Sequence, residues 1–133
     1  MRVVHVPATS DDPAEGTVLA SNVEVADSTL ALARGLRFRS SLPRDSAFVM
    51  RVGGASLGSR STGPARSLVD MLFVPFPIDV LWLRAGSVVK VATLRPWLGV
   101  GYARADTIVE LPAGAAAGVV VGDTVRLEDG EGT

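Results

Sequence analysis

The sequence predicts an all-β fold, a single β-sandwich or barrel-like domain with one short α-helix. Three observations carry this expectation. Apolar residues fall in short runs, several of them alternating with polar ones, as half-buried strands require. Fourteen Gly and eight Pro separate those runs, and these are the residues that end strands and make turns. No long amphipathic helix alternates with the strands, so a parallel βαβ arrangement is not expected. There is no internal repeat. The length, 133 residues, fits one domain spanning 1–133, with an acidic tail at 129–133 expected to fray.

Arg2 to Val6 reads as a first strand, and Pro7 and Pro13 break the chain after it. Thr17 to Val25 alternates, with Val23 and Val25 opposite Asn22 and Glu24. Asp27 or Ser28 can cap a short helix over about 27–35, rich in Ala and Leu and ended by Gly35, which tolerates the left-handed conformation of a helix terminus. Ser46 to Val52 is a strand candidate, and residues 53–67 read as a long Gly/Ser/Arg loop. Leu68 to Val74 and Ile78 to Leu83 are apolar on both faces, as central strands between two layers are. Pro75 and Pro77 lack an amide to donate, so the stretch between the two strands must bend. Ala85, Gly86 and Ser87 form a tight turn into Val88 to Leu94, Pro96 to Tyr102 is an aromatic loop, and Thr107 to Leu111 is a strand. A helical turn is expected near 112–117, with Pro112 at its first position. Thr124 to Glu128 is the last strand.

Composition excludes several classes. A hydrophobic share of 47% and a mean hydropathy of +0.33 are incompatible with disorder. The densest apolar stretch, Leu68 to Leu83, is broken by Asp70, Pro75, Pro77 and Asp79, short of the about 20 apolar residues of a spanning helix. Residues 1–16 carry no apolar leader, so no membrane partner and a cytoplasmic location are expected. The absence of cysteine rules out disulfides, iron–sulfur clusters and thiolate zinc sites. His5 is the lone histidine, so no imidazole metal pair can form, and neither metal nor cofactor is expected. A net charge of −1 makes nucleic acid an unfavoured partner.

Three blocks carry a family resemblance. The first is the capped helix leading into Gly35-Leu36-Arg37-Phe38-Arg39-Ser40-Ser41-Leu42-Pro43. The second runs from Met71 through Pro75-Phe76-Pro77-Ile78-Asp79 and Trp82 to Val91. The third is Glu110-Leu111-Pro112-Ala113-Gly114 followed by Gly122-Asp123-Thr124-Val125. In that order and spacing the chain resembles domain-of-unknown-function family 192 over about residues 20–127. The resemblance implies a compact β-sandwich-like domain with a small helix and implies no activity. Family members often carry an aromatic-Met-Lys-Asn-Thr segment before the Pro-x-Asp element. Here Val69-Asp70-Met71-Leu72-Phe73 keeps only its Met.

Among candidate site residues, Asp79 shares a strand face with Leu81 and Leu83, where an unpaired carboxylate would cost several kcal/mol. Arg39 is its expected partner; the pair could serve as a structural lock or a ligand contact. Asp70 or Asp79 would be the acid/base of a small hydrolase or isomerase. His5 is expected to be a half-exposed strand residue. The loop from Gly53 has no Lys for a phosphate loop, but Arg60 and Arg66 lie in a stretch free of acids, suited to a small anionic ligand. Arg95, Trp97 and Tyr102 cluster around glycines, as in interaction hot spots, but the favoured expectation is that Trp97 caps one end of the core. The residues favour a non-enzymatic binding or interaction module of unassigned function over the small enzyme. A homodimer through an exposed strand is compatible with this reading.

Overall fold

The structure is a computed structural model that describes residues 1–10, 12, 16–26, 36, 39–52 and 65–129. Among the described residues ten strands form in chain order: β1 (Arg2–Val6), β2 (Thr17–Ala20), β3 (Asn22–Ala26), β4 (Ser46–Arg51), β5 (Ala65–Asp70), β6 (Ile78–Arg84), β7 (Ser87–Leu94), β8 (Val100–Ala105), β9 (Thr107–Pro112) and β10 (Thr124–Glu128). Eight of them make one sheet in the order β2-β1-β10-β7-β6-β9-β4-β3, and β5 pairs with β8 in a second sheet of two strands. All pairings are antiparallel except β3 with β4.

The large sheet curls into a barrel because its two edges are adjacent in the chain. β2 and β3 lie at opposite ends of the strand order, yet only Ser21 separates them, which leaves a gap of a few ångströms to span. Asp45 fixes this corner. Its carbonyl accepts the amides of Ser21 and Asn22 at 3.1 and 3.0 Å, and its carboxylate accepts the Ser21 hydroxyl at 3.0 Å. Among the described residues no ladder joins β2 to β3, so at this corner the two edges are held by Asp45 rather than by strand pairing.

Strand alternation places one core on each face of the sheet. Leu81 and Leu83 of β6, Val109 and Leu111 of β9, Val49 of β4, Val3 and Val125 fill the barrel. The intervening Val80, Trp82, Ile108 and Phe48 face outward into a second core. The β5–β8 sheet covers that second core, contributing Val69 and Ala105, with Met71, Val74 and Leu94 beside them. Trp82 is fully buried. Gly101 of β8 lies so close that a Cβ there would sit 2.8 Å from the Trp82 ring. On the same ring sits Lys90 Nζ, 5.4 Å from the centroid, which also donates to the Tyr102 carbonyl at 3.1 Å. The second layer is thereby keyed onto one tryptophan.

Several boundaries differ from the sequence expectation. The expected helix at 27–35 and most of the 53–67 loop lie outside the described residues. Strand β5 starts at Ala65 and stops at Asp70, rather than running from Leu68 to Val74. The reason is local: the Asp70 carboxylate takes the Leu72 amide at 3.1 Å, forming a turn that competes with the ladder. β8 starts at Val100, inside the loop expected over Pro96 to Tyr102, and runs on to Ala105. Near 112–117 there is no helical turn but a series of tight turns, closed by Ala115 to Pro112, Ala117 to Gly114 and Val119 to Ala116. The amides of Gly114 and Ala116 go to a carboxylate instead.

Candidate functional site

The buried polar groups come first, because an enzyme would need them. Among the described residues these are His5, Asp79, Glu110 and Asp123. Asp79 accepts the Thr93 hydroxyl at 2.7 Å on one oxygen and the amides of Gly114 and Ala116, both at 2.9 Å, on the other. Arg39 is not its partner, contrary to the sequence expectation; that guanidinium bonds Glu24 at 2.8 Å. Neutral amide and hydroxyl donors stabilise the charge, so a cation is unnecessary. Asp79 does share the barrel-facing side of β6 with Leu81 and Leu83, and it anchors the start of the 113–123 connection.

Asp123 anchors the end of that connection. It accepts the Ala8 amide at 2.9 Å, the Val120 amide at 3.1 Å and His5 Nε2 at 2.7 Å. His5 is buried, not half-exposed as expected, and the carboxylate it meets lies far along the chain, where periodicity gives no sign of it. Ala116 and Val119 between the two anchors pack into the barrel, and β10 meets β7 at a single register position, Thr124 opposite Ser87. The connection is thus a strap over a sparsely paired part of the barrel, held at both ends by buried carboxylates. Glu110, on β9 opposite Val80, is itself engaged.

Burial pushes the Asp123 carboxyl up, but the Ala8 amide, the His5 ring and the Val120 amide together outweigh it and hold the group below its ordinary value. A carboxyl lowered on folding adds stability above its unfolded pKa, and that contribution is lost as pH falls through the folded pKa. Acidification below about pH 4 therefore removes it. We expect urea midpoints at roughly pH 5 and roughly pH 3 to differ less in Asp123→Asn than in the wild type. An equal gap in both proteins would exclude this role.

The open chemistry lies on the second layer. The register places Leu68 opposite Tyr102 and Asp70 opposite Val100, and Val69 between them turns inward to the core. Leu68, Val100 and Tyr102 thus share the outward face, and Leu72, Phe73, Trp97 and Leu98 continue it on the adjoining loops. These seven side chains are 44% to 72% exposed. So much exposed apolar surface on one side is characteristic of an interaction face.

Two interlocked turns present the aromatic pair. Val74 donates to Met71 and Trp97 to Val74, and Met71 donates to Gly99. Phe73 and Trp97 both take a positive φ, 64° and 66°, a conformation costing roughly 1–2 kcal/mol for a residue with a Cβ. Trp97 is the centre of a γ-turn, in which Leu98 donates to the Pro96 carbonyl at 2.7 Å; the positive-φ form of this turn is rare. The two rings meet edge to face, with centroids 6.4 Å apart. Beside them is a cleft of about 260 Å³ lined by Arg39, Ser40, Phe73, Pro75 and Trp97.

Of the sequence-predicted residues, the structure brings Arg39 and Trp97 together at this cleft. Tyr102 lies on the adjoining face, and Arg95 is exposed at the base of the Trp97 turn. Trp97 is exposed rather than capping the core. Asp79 lies under the strap, and the Asp70 carboxylate caps the turn after β5. Arg60 is outside the described residues, and of Arg66 only the backbone is described, opposite Arg104. Phe73 was not expected at the site. Its positive φ follows from a turn whose sequence, Met71-Leu72-Phe73-Val74, lacks the Gly or Asn that marks such positions. Among the described residues no helix is long and apolar enough to cross a membrane, and no group of acids and histidines could hold a metal ion.

The comparisons with known proteins agree with the fold. Residues 11–127 match the model of domain-of-unknown-function family 192, described as an uncharacterized ACR. No curated protein matches the chain. A solved structure from Sinorhizobium meliloti, described as a candidate transcription regulator, superposes with a TM-score of 0.75 at 19% identity, covering 94% of this chain and 91% of the other. A protein of unknown function from Novosphingobium aromaticivorans gives a TM-score of 0.73 at 19% identity, covering 96% and 84%.

Proposed function

Because the chain belongs to domain-of-unknown-function family 192, which is described as uncharacterized, we propose a function from its surface: it is a non-catalytic binding module. Its contact surface is the outward face of β5–β8 together with the Phe73–Trp97 cleft. The single observation behind this reading is that two exposed aromatic side chains are held in contact at positive φ. Backbone strain of this kind persists where the surrounding structure over-determines it, and it concentrates at ligand clamps. Folding alone would favour Gly at both positions.

The reading also explains why the buried acids need no catalytic role. Both oxygens of Asp79 and both of Asp123 are engaged by donors that hold the strap. A general acid or base needs an open line to a substrate proton.

Trp97→Gly separates binding from folding. It relieves the strained φ, which offsets the loss of a half-exposed ring and its contact with Phe73, so the unfolding free energy should stay within about 1 kcal/mol of the wild type. Enhancement of anilinonaphthalene sulfonate fluorescence, used as a probe of the cleft, should fall at least about fivefold. Undiminished enhancement in a folded Trp97→Gly protein would move the binding surface elsewhere.

A further inference from the structure

Arg39 stands between two cavities. The cleft beside Phe73 and Trp97 is on one side. On the other lies a cavity of about 340 Å³ that runs over Glu24 and Phe48. The guanidinium lies over the Phe48 ring, 5.5 Å from its centroid, and the side chain is 33% exposed. Nη2 alone serves both oxygens of Glu24, at 3.0 and 2.8 Å. Among the described residues Nε and Nη1 of Arg39 have no hydrogen-bond partner. A guanidinium carries five N–H donors in a planar fork suited to a carboxylate, and here most of that fork is unused. Glu24 is itself 55% exposed, so it is free to swing away at little cost.

We propose that the cleft takes a small aromatic carboxylate. Its ring lies against Phe73, Trp97 and Pro75, and its carboxylate takes the open donors of Arg39 and the Ser40 hydroxyl. The volume, about 260 Å³, lies just below the usual range for small-molecule sites and suits a ligand of one or two rings. Charge selects the class: among the described residues of the lining Arg39 is the cation, and none is acidic. Glu24 acts as an internal competitor that occupies the guanidinium when no ligand is present. This inference rests on the binding-module reading, and it adds the ligand class.

The test compares 2-naphthylacetate with 2-naphthylacetamide, which has nearly the same shape but no charge, by isothermal titration. Melting temperatures of all variants confirm that each is folded. The acid should bind at least about tenfold more tightly than the amide, the size expected for one charge-assisted contact. Arg39→Gln should erase that preference, and Arg39→Lys, which keeps charge but loses the fork, should retain only part of it. Glu24→Gln should tighten the acid by about threefold and leave the amide unchanged. Trp97→Gly should weaken both. Equal affinities for the two probes, each still dependent on Trp97, would overturn the carboxylate assignment and leave the binding module standing. Failure of both probes to bind at millimolar concentration, with no effect of Trp97→Gly on the fluorescent dye, would overturn both.

Discussion

Asp79→Ala is expected to lower the unfolding free energy by about 3–5 kcal/mol, read from urea midpoints. The substitution leaves the amides of Gly114 and Ala116 and the hydroxyl of Thr93 without their acceptor. Each buried donor left without an acceptor costs about 1–3 kcal/mol. Asp79→Asn keeps one acceptor oxygen and should cost about half as much. The mechanism predicts where the damage appears. Amide exchange should quicken first along the 113–123 strap, since its turns rely on this carboxylate rather than on a ladder. A loss below about 1 kcal/mol for Asp79→Ala would mean that the strap holds itself.

The second large effect belongs to Trp82→Ala, expected to cost about 3–5 kcal/mol. This ring is fully buried and lies in the outer core between the barrel and the β5–β8 layer. Gly101 rests on it and Lys90 stacks over it, so truncation leaves a cavity that the second layer must collapse into. Amides of β5 and β8 should lose protection before those of β1 and β10. Uniform loss of protection across both layers would show that the tryptophan does not key one onto the other.

How much of this was legible beforehand follows from which forces are local. The apolar run in β6 is written in residue periodicity, and that strand lies where the pattern puts it; the single strand expected over Thr17 to Val25 is instead broken at Ser21 into β2 and β3, which lie at opposite ends of the sheet. Asp79 stood out because a carboxylate on an apolar face demands partners, but pattern could not say which. The sequence pointed to a cation, and the fold supplied backbone amides from 35 and 37 residues away. His5 and Asp123 are 118 residues apart, a pairing set by the β1–β10 register and invisible to any local rule. β8 was missed because its inward positions, Gly101, Ala103 and Ala105, are small rather than apolar and bulky; Gly101 is small because the Trp82 ring fills the space beneath it. At the cleft, Arg39 and Trp97 were each legible as residue types suited to binding. Their meeting depends on two turns hydrogen-bonded to each other, and neither turn carries the glycine that would have announced its positive φ.

The proposed function separates two parts of the molecule: buried acids that hold the barrel shut, and an outer aromatic cleft proposed to bind the ligand. The direct measurement is titration of 2-naphthylacetate into folded Asp79→Asn and folded Trp97→Gly proteins side by side. The account predicts an affinity for Asp79→Asn within about twofold of the wild type and a loss of at least about tenfold for Trp97→Gly. Wild-type affinity in Trp97→Gly with loss in Asp79→Asn would contradict it and place the site under the strap.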